Sequence, residues 1–320
     1  MTTTTTSSVP FQPRPTAVDF DGVSRRFGDT RALDDVSVAI EAGETVALLG
    51  PNGAGKTTAI GIMLGLLEPS SGRAATLGMA PHDAVRSGRV GAMLQSAGLP
   101  PGARVGELVD LARALYPAPS PRDAVLERAG LTALVNRRAE TLSGGEAQRV
   151  RFAFAVAGDP DLVFLDEPTV AMDVEARRAF WEDMRRFAAE GRTVLFATHY
   201  LDEADHIADR IVVLDHGRIV GDGSPAELKA TVTERVVRFA LQSADAAGDA
   251  VLAGLPGVLR VERHGASLSL PTTDADATVR GLVAADVAFR HLEVAGADLD
   301  AAFLALTSGE PRRAASPAAA

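Results

Sequence analysis

The chain has 320 residues, 46 % of them hydrophobic, which suffices for sizeable cores in about two domains. The absence of cysteine excludes disulfides, thiolate metal sites and cysteine nucleophiles, and a net charge of −10 argues against a nucleic-acid partner. No run approaches the ~20 apolar residues of a spanning helix, and the Thr/Ser/Pro-rich residues 1–16 have neither the basic start nor the apolar middle of a secretory signal; they read as a disordered tail on a cytoplasmic protein.

From Ala17 to about Glu227 short apolar strands alternate with helical stretches, the mark of an α/β domain. Ala17–Ile40 alternates apolar and polar residues and predicts antiparallel strands at a sheet edge. Thr45–Leu49, apolar from Val46 on, is a buried strand, and Lys56–Leu67 is the helix that follows. Between them Gly50-Pro51-Asn52-Gly53-Ala54-Gly55-Lys56-Thr57-Thr58 satisfies the G-x-x-x-x-G-K-[ST] pattern in its strand–loop–helix setting. The glycines let the backbone close around phosphates, with N–H groups and the positive helix end facing the anion. Lys56, one of two lysines in the chain, is placed to bridge the β- and γ-phosphates, and Thr57 to bind Mg²⁺.

A strand at Val90–Leu94 ends at Gln95, and residues 96–142 form a helical insertion with helices over Val105–Leu115 and Arg122–Ala129. Ser143-Gly144-Gly145-Glu146 has the serine and glutamate of a capping box. Capping alone does not call for two consecutive glycines, each of which weakens a helix by about 1 kcal/mol, whereas exposed N–H groups that receive an anion do. The segment therefore reads as a second phosphate-contacting helix start. The buried strand Leu162–Leu165 delivers Asp166 and Glu167 to its carboxyl end, where open α/β sheets bind ligands. Asp166 suits the Mg²⁺ shell, and Glu167 is the candidate general base or water-orienting group.

Thr193–Ala197 is a further buried strand, and Ile211–Leu214 and Arg218–Val220 flank the hairpin signal Asp215-His216-Gly217. Ser224-Pro225-Ala226-Glu227 starts a helix expected to close the domain, giving 17–230 as its extent. Residues 231–307 read as strand, helix, strand, strand, helix, strand, the order of a small ferredoxin-like α+β unit, with a short helix at Leu299–Leu306 and a disordered tail at 308–320.

On the phosphate loop, the Ser143–Gly145 segment and the Asp166–Glu167 pair, the chain resembles the nucleotide-binding subunits of ATP-binding cassette transporters over about Ala17–Glu227. That resemblance implies a P-loop NTPase fold with a RecA-like core, an antiparallel β-subdomain and a helical subdomain. It adds Gln95 as the glutamine that touches Mg²⁺ and the attacking water, His199 as the switch histidine at the γ-phosphate, Asp173 as the aspartate of the D-loop, and Phe27 as the aromatic that stacks on adenine. Pro51, Asn52, Gly53, Ala54 and Thr58 complete the ATP-binding loop. It further implies an ATP- and Mg²⁺-dependent ATPase, a head-to-tail homodimer in which Ser143, Gly144 and Gly145 meet the ATP of the other subunit, and a separate membrane-spanning permease that holds the protein at the inner face of the membrane. The single-cassette layout with the segment Leu299–Leu306 resembles the drug-and-antibiotic-export type. Two other roles stay open on the same motifs: a soluble ATPase switch on ribosomes or DNA, and an importer ATPase whose last domain is regulatory.

Overall fold

The computed structural model describes residues 15–94, 98–232, 235–241, 248–265, 267–296 and 298–307. They form two compact units, the first running to Tyr200 with Ile207–Ile219 added, the second comprising Leu201–His206 and the chain from Val220.

The first unit is built on strands whose burial follows their composition. β1 (Thr16–Phe27) and β2 (Thr30–Glu41) alternate buried and exposed residues, whereas β3 (Thr45–Leu49) is buried throughout. After β3 come α1 (Lys56–Met63), β4 (Ser71–Thr76), α2 (Pro81–Arg86), β5 (Val90–Met93), α3 (Val105–Ala114), α4 (Arg122–Arg128), α5 (Gly144–Val156), β6 (Leu162–Asp166), α6 (Val174–Ala189), β7 (Thr193–Ala197), α7 (Leu201–Ile207), β8 (Arg210–Asp215) and β9 (Arg218–Gly223), of which α7 up to His206 and β9 from Val220 count with the second unit. The main sheet has the order β5-β6-β7-β3-β8-β9, with parallel pairing from β5 through β8. β6 and β7, like β3, are buried at every residue, as strands covered on both faces must be.

Two expectations change. The antiparallel strands do not lie at the edge of the main sheet; they form a separate sheet of order β2-β1-β4. Its third strand, Ser-Gly-Arg-Ala-Ala-Thr, has little apolar or β-branched content, so its pairing is set by tertiary contacts alone. The helix after the phosphate loop ends at Met63 rather than Leu67, because Gly65 adopts a left-handed φ of 68° and the Leu66 N–H turns back to the Gly61 carbonyl at 2.8 Å. A core of Val18, Phe20, Leu33, Ile40, Val46, Ile60 and Ile62 joins the small sheet, the main sheet and α1.

A chain of aromatic rings ties α5, α6 and β7 together: Phe152 lies edge-to-face 5.4 Å from Phe180, which lies edge-to-face 5.5 Å from Trp181, itself tilted 4.7 Å from Phe196. α3 and α4 form the expected helical insertion, with Val105, Leu108, Val109 and Ala112 buried along one face of α3.

The second unit adds α8 (Pro225–Ala230), β10 (Arg235–Leu241), α9 (Asp249–Ala253), β11 (Glu262–His264), β12 (Ser267–Thr272), α10 (Ala275–Ala284), β13 (Phe289–Ala295) and α11 (Leu299–Thr307). Its sheet runs β11-β12-β10-β13 with every pair antiparallel, the arrangement of a split βαβ repeat, over a core of Val237, Phe239, Leu252, Leu268, Leu270 and Leu282. The expected second strand, Val258–Arg263, is reduced to the three residues of β11, and part of the helix expected at 244–252 lies outside the described residues. α8 carries the predicted capping box but belongs to this unit, where Lys229 pairs with Asp205 at 2.6 Å and α11 lies against it.

Gly91 in β5 determines how closely α5 approaches the sheet, since a Cβ there lies 1.9 Å from the Ala155 carbonyl oxygen. Gly91→Ala is expected to cost roughly 1–3 kcal/mol through overpacking, read as a lower urea midpoint with an unchanged slope; unaltered stability contradicts the close approach.

Candidate nucleotide site

The phosphate loop leaves β3 and wraps onto the first turn of α1. Gly55, at the cap of that helix, has a φ of 109°, and an added Cβ meets the Ala32 carbonyl oxygen at 2.5 Å, so only glycine fits. Gly50 is similarly confined, 2.3 Å from the Leu214 carbonyl oxygen. No side chain caps α1 and no acidic residue occupies its first turn, so its leading N–H groups are left for an anion. Lys56 curls back over the loop, its Nζ donating to the carbonyls of Gly50 at 2.6 Å and Pro51 at 3.2 Å. Partial burial draws its pKa down, against the opposing pull of Glu167 and Asp166.

These residues border a cleft of about 350 Å³ whose walls include Phe27, Arg31, Lys56, Thr57, Asp166 and Glu167. Asp166 ends β6 and is 5 % exposed; burial raises its pKa, and the Lys56 ammonium opposes that rise. Thr57 and Asp166 offer hard oxygen donors on the same cleft, a set that suits Mg²⁺, which keeps most of its shell as water and substrate phosphate.

Glu167 follows Asp166 with a left-handed φ of 52°, unusual for a residue with a long side chain. Its N–H donates to the Ala197 carbonyl at 2.9 Å, and its Oε2 lies 2.7 Å from His199 Nδ1 at the end of β7. The carboxylate is 12 % exposed and the imidazole 52 %. Burial is the largest influence on the Glu167 pKa and raises it, while His199 and Lys56 lower it and Asp166 adds to the rise.

Ser143, Gly144, Gly145 and Asp173 are not among the walls of this cleft; they form a second cluster at the starts of α5 and α6. Ser143 and Glu146 make the reciprocal capping box, at 3.2 and 2.7 Å. The glycine pair has two separate causes. A Cβ on Gly144 lies 2.8 Å from Ala171 Cβ, so this glycine is needed for packing, whereas Gly145 meets nothing closer than 3.4 Å. Asp173 caps α6, accepting the Ala176 N–H at 2.7 Å, a cap that sequence reading passed over although aspartate before a helix is its usual signal. Gln95 lies outside the described residues.

Gln148 was also missed. It is buried on α5, donates weakly to the carbonyls of Val170 at 3.3 Å and Glu167 at 3.5 Å, and accepts from Arg151 at 2.7 Å. Its sequence signal was a polar residue on a face otherwise occupied by Phe152 and Val156.

Among known proteins, the family model described as ABC transporter matches residues 33–170. The chain is 36 % identical over 313 residues to the daunorubicin resistance ATP-binding protein DrrA3 of Streptomyces coeruleorubidus, covering 93 % of this chain and 98 % of that protein. It is 36 % identical to the daunorubicin/doxorubicin resistance ATP-binding protein DrrA of Streptomyces peucetius, over 92 % and 93 % of the two chains. The Nod factor export ATP-binding protein I of Rhizobium leguminosarum bv. viciae is 39 % identical over 67 % of this chain and 71 % of its own. Among solved structures, the ATP-binding subunit of an ABC transporter superposes with a TM-score of 0.61 at 27 % identity, over 68 % of this chain and 93 % of that one. A dimeric cassette in a post-hydrolysis state bound to ADP and Pi superposes with a TM-score of 0.59 at 26 % identity, over 65 % and 98 %. With a glycine-confined loop, one buried and one partly buried carboxylate and a capped glycine-pair helix on one scaffold, and with this likeness along nearly its whole length, the chain belongs to the ATP-binding subunits of ABC transporters, ATPases that dimerise and pair with a membrane permease.

Proposed function

We propose that this ATPase subunit drives efflux of a drug or antibiotic-like small molecule through a separate permease. The observation that carries the reading is the extent of likeness: the daunorubicin resistance proteins align over 92–93 % of the chain, second unit included, whereas the Nod factor export proteins align over about two thirds of it. No helix among the described residues is long and apolar enough to cross a membrane, so passage of a substrate falls to the permease. The working assembly in this reading is a homodimer at the inner face of the membrane, without nucleic acid.

The residue roles follow from the geometry of the cleft. The loop N–H groups and the Lys56 ammonium hold the β- and γ-phosphates of ATP, and the carbonyl bonds of Lys56 keep its charge at the loop before ATP arrives. Phe27 stacks on the base. Thr57 and Asp166 would hold Mg²⁺, with Gln95 as the further ligand that the family resemblance implies, and the ion would neutralise phosphate charge. Glu167 accepts a proton from the attacking water, and its raised pKa makes it a better base than an exposed glutamate. His199, in contact with the same carboxylate, orients it and reaches the γ-phosphate. Ser143, Gly144, Gly145 and Asp173, apart from this chain's own cleft, close on the ATP of the other subunit. Loss of the γ-phosphate removes those contacts and opens the dimer.

Glu167→Gln is expected to bind ATP with unchanged affinity while turnover falls by about 10²–10⁴, and ATP-bound dimers accumulate on size-exclusion chromatography; normal turnover removes Glu167 from catalysis. Lys56→Ala should weaken ATP binding itself in a direct titration. Followed by ¹³C NMR, the Glu167 carboxyl should titrate above its ordinary value of 4.5. It should titrate higher still in His199→Ala, because the contact that favours the ionised form is gone. The sign is fixed: a folded pKa above the unfolded one gives stability present at low pH and lost as pH rises through the folded value. Export is tested by purification from the native host: a co-purifying permease and ATPase activity stimulated by drugs such as daunorubicin support the reading, and a co-purifying solute-binding protein would replace it with import.

A further inference from the structure

Arg25 and Phe27 stand two residues apart on β1, and the Arg25 guanidinium carbon lies 4.6 Å from the centre of the Phe27 ring. The arginine is anchored from behind, with Nη1 donating to the Glu68 carbonyl at 2.9 Å in the segment between α1 and β4. Its Nε–H is buried with no hydrogen-bond partner. A buried donor left unpaired costs stability, so the guanidinium is placed by the ring and the Glu68 anchor rather than by a full set of hydrogen bonds. Phe27 is 45 % exposed and forms part of the wall of the nucleotide cleft. One face of the ring is therefore occupied by a cation, and the other remains for a ligand.

We infer that Arg25 is a positioning residue for the nucleotide base, acting through Phe27 in a three-layer stack of guanidinium, phenyl ring and purine. The inference rests on the reading of Phe27 as the base-stacking residue. The cation draws ring π-density toward itself, which leaves the far face less electron-rich and better suited to an electron-rich purine. It also fixes an exposed side chain before the base arrives, so less freedom is lost on binding. A phenylalanine has no hydroxyl with which to anchor itself at an exposed hairpin, and the arginine behind it supplies that restraint. The stack acts on the base alone, since the phosphates are held by the loop and Lys56.

The test is steady-state ATPase kinetics on the full-length protein with Arg25→Met, Arg25→Lys, Phe27→Ala and the double variant Arg25→Met/Phe27→Ala. Arg25→Met keeps the aliphatic stem and should raise the KM for ATP roughly two- to fivefold, the size of a surface cation–π contact, with kcat unchanged. Arg25→Lys should fall between it and the native protein. Inorganic tripolyphosphate, which has no base, should inhibit the native protein and Arg25→Met with the same inhibition constant. In the Phe27→Ala background Arg25→Met should have no further effect. An unchanged KM in Arg25→Met, an equal rise in the Phe27→Ala background, or a parallel loss of tripolyphosphate affinity overturns the inference. An unchanged KM in Phe27→Ala alone overturns the stacking role of Phe27 beneath it.

Discussion

Two carboxylates and one ammonium share a partly dehydrated cleft at the carboxyl end of the main sheet, and the rest of the first unit serves that charge arrangement. Asp166 and Glu167 are each raised in pKa by burial, Lys56 is lowered by it, and each sign of charge offsets part of the other's desolvation. A pair of carboxylates, one buried and one partly buried, beside a single ammonium is a poor resting arrangement and a good receptor for a divalent cation with phosphates. β6, apolar along its length until Asp166, carries the acidic pair into that position.

Close backbone approach is the second requirement. Gly55 lets the loop fold against Ala32, Gly91 lets α5 lie on β5, and Gly144 lets the start of α5 lie against Ala171. The turn that carries Glu167 is held from three sides, by the Ala197 carbonyl, by His199 and by Gln148. Its left-handed backbone is affordable only because these partners fix it together. The same turn leads through Ala171 to Asp173, so the Glu167 side of the cleft and the cluster at the starts of α5 and α6 share one short stretch of chain.

The second unit has its own sheet and core and carries none of the nucleotide-site residues. Its sheet order places β10 between β12 and β13, strands supplied later in the chain. Such a unit forms only when most of its length is present, which fits the full-length likeness to the daunorubicin resistance proteins.

Local chemistry made much of this legible from sequence. Gly50–Thr58 has one physical use in a strand–loop–helix setting, unbroken apolar runs at Val46–Leu49 and Leu162–Leu165 have few fates but buried strands, and Ser143 with Glu146 writes its own cap. What remained hidden was whatever depends on contacts far apart in sequence. β4 has no strand signal of its own and exists because β1 offers it a ladder; α8 joins the second unit because Asp205 and α11 meet it there. The cause of Gly144 lies in Ala171, and the Glu167 pKa is raised by burial and drawn partly back by His199, 32 residues away, neither of which its own sequence announces. Sequence determined which groups could hold a nucleotide, because those groups act through local backbone geometry. Tertiary structure alone decided how those groups tune one another, because burial and charge proximity are properties of the packed chain.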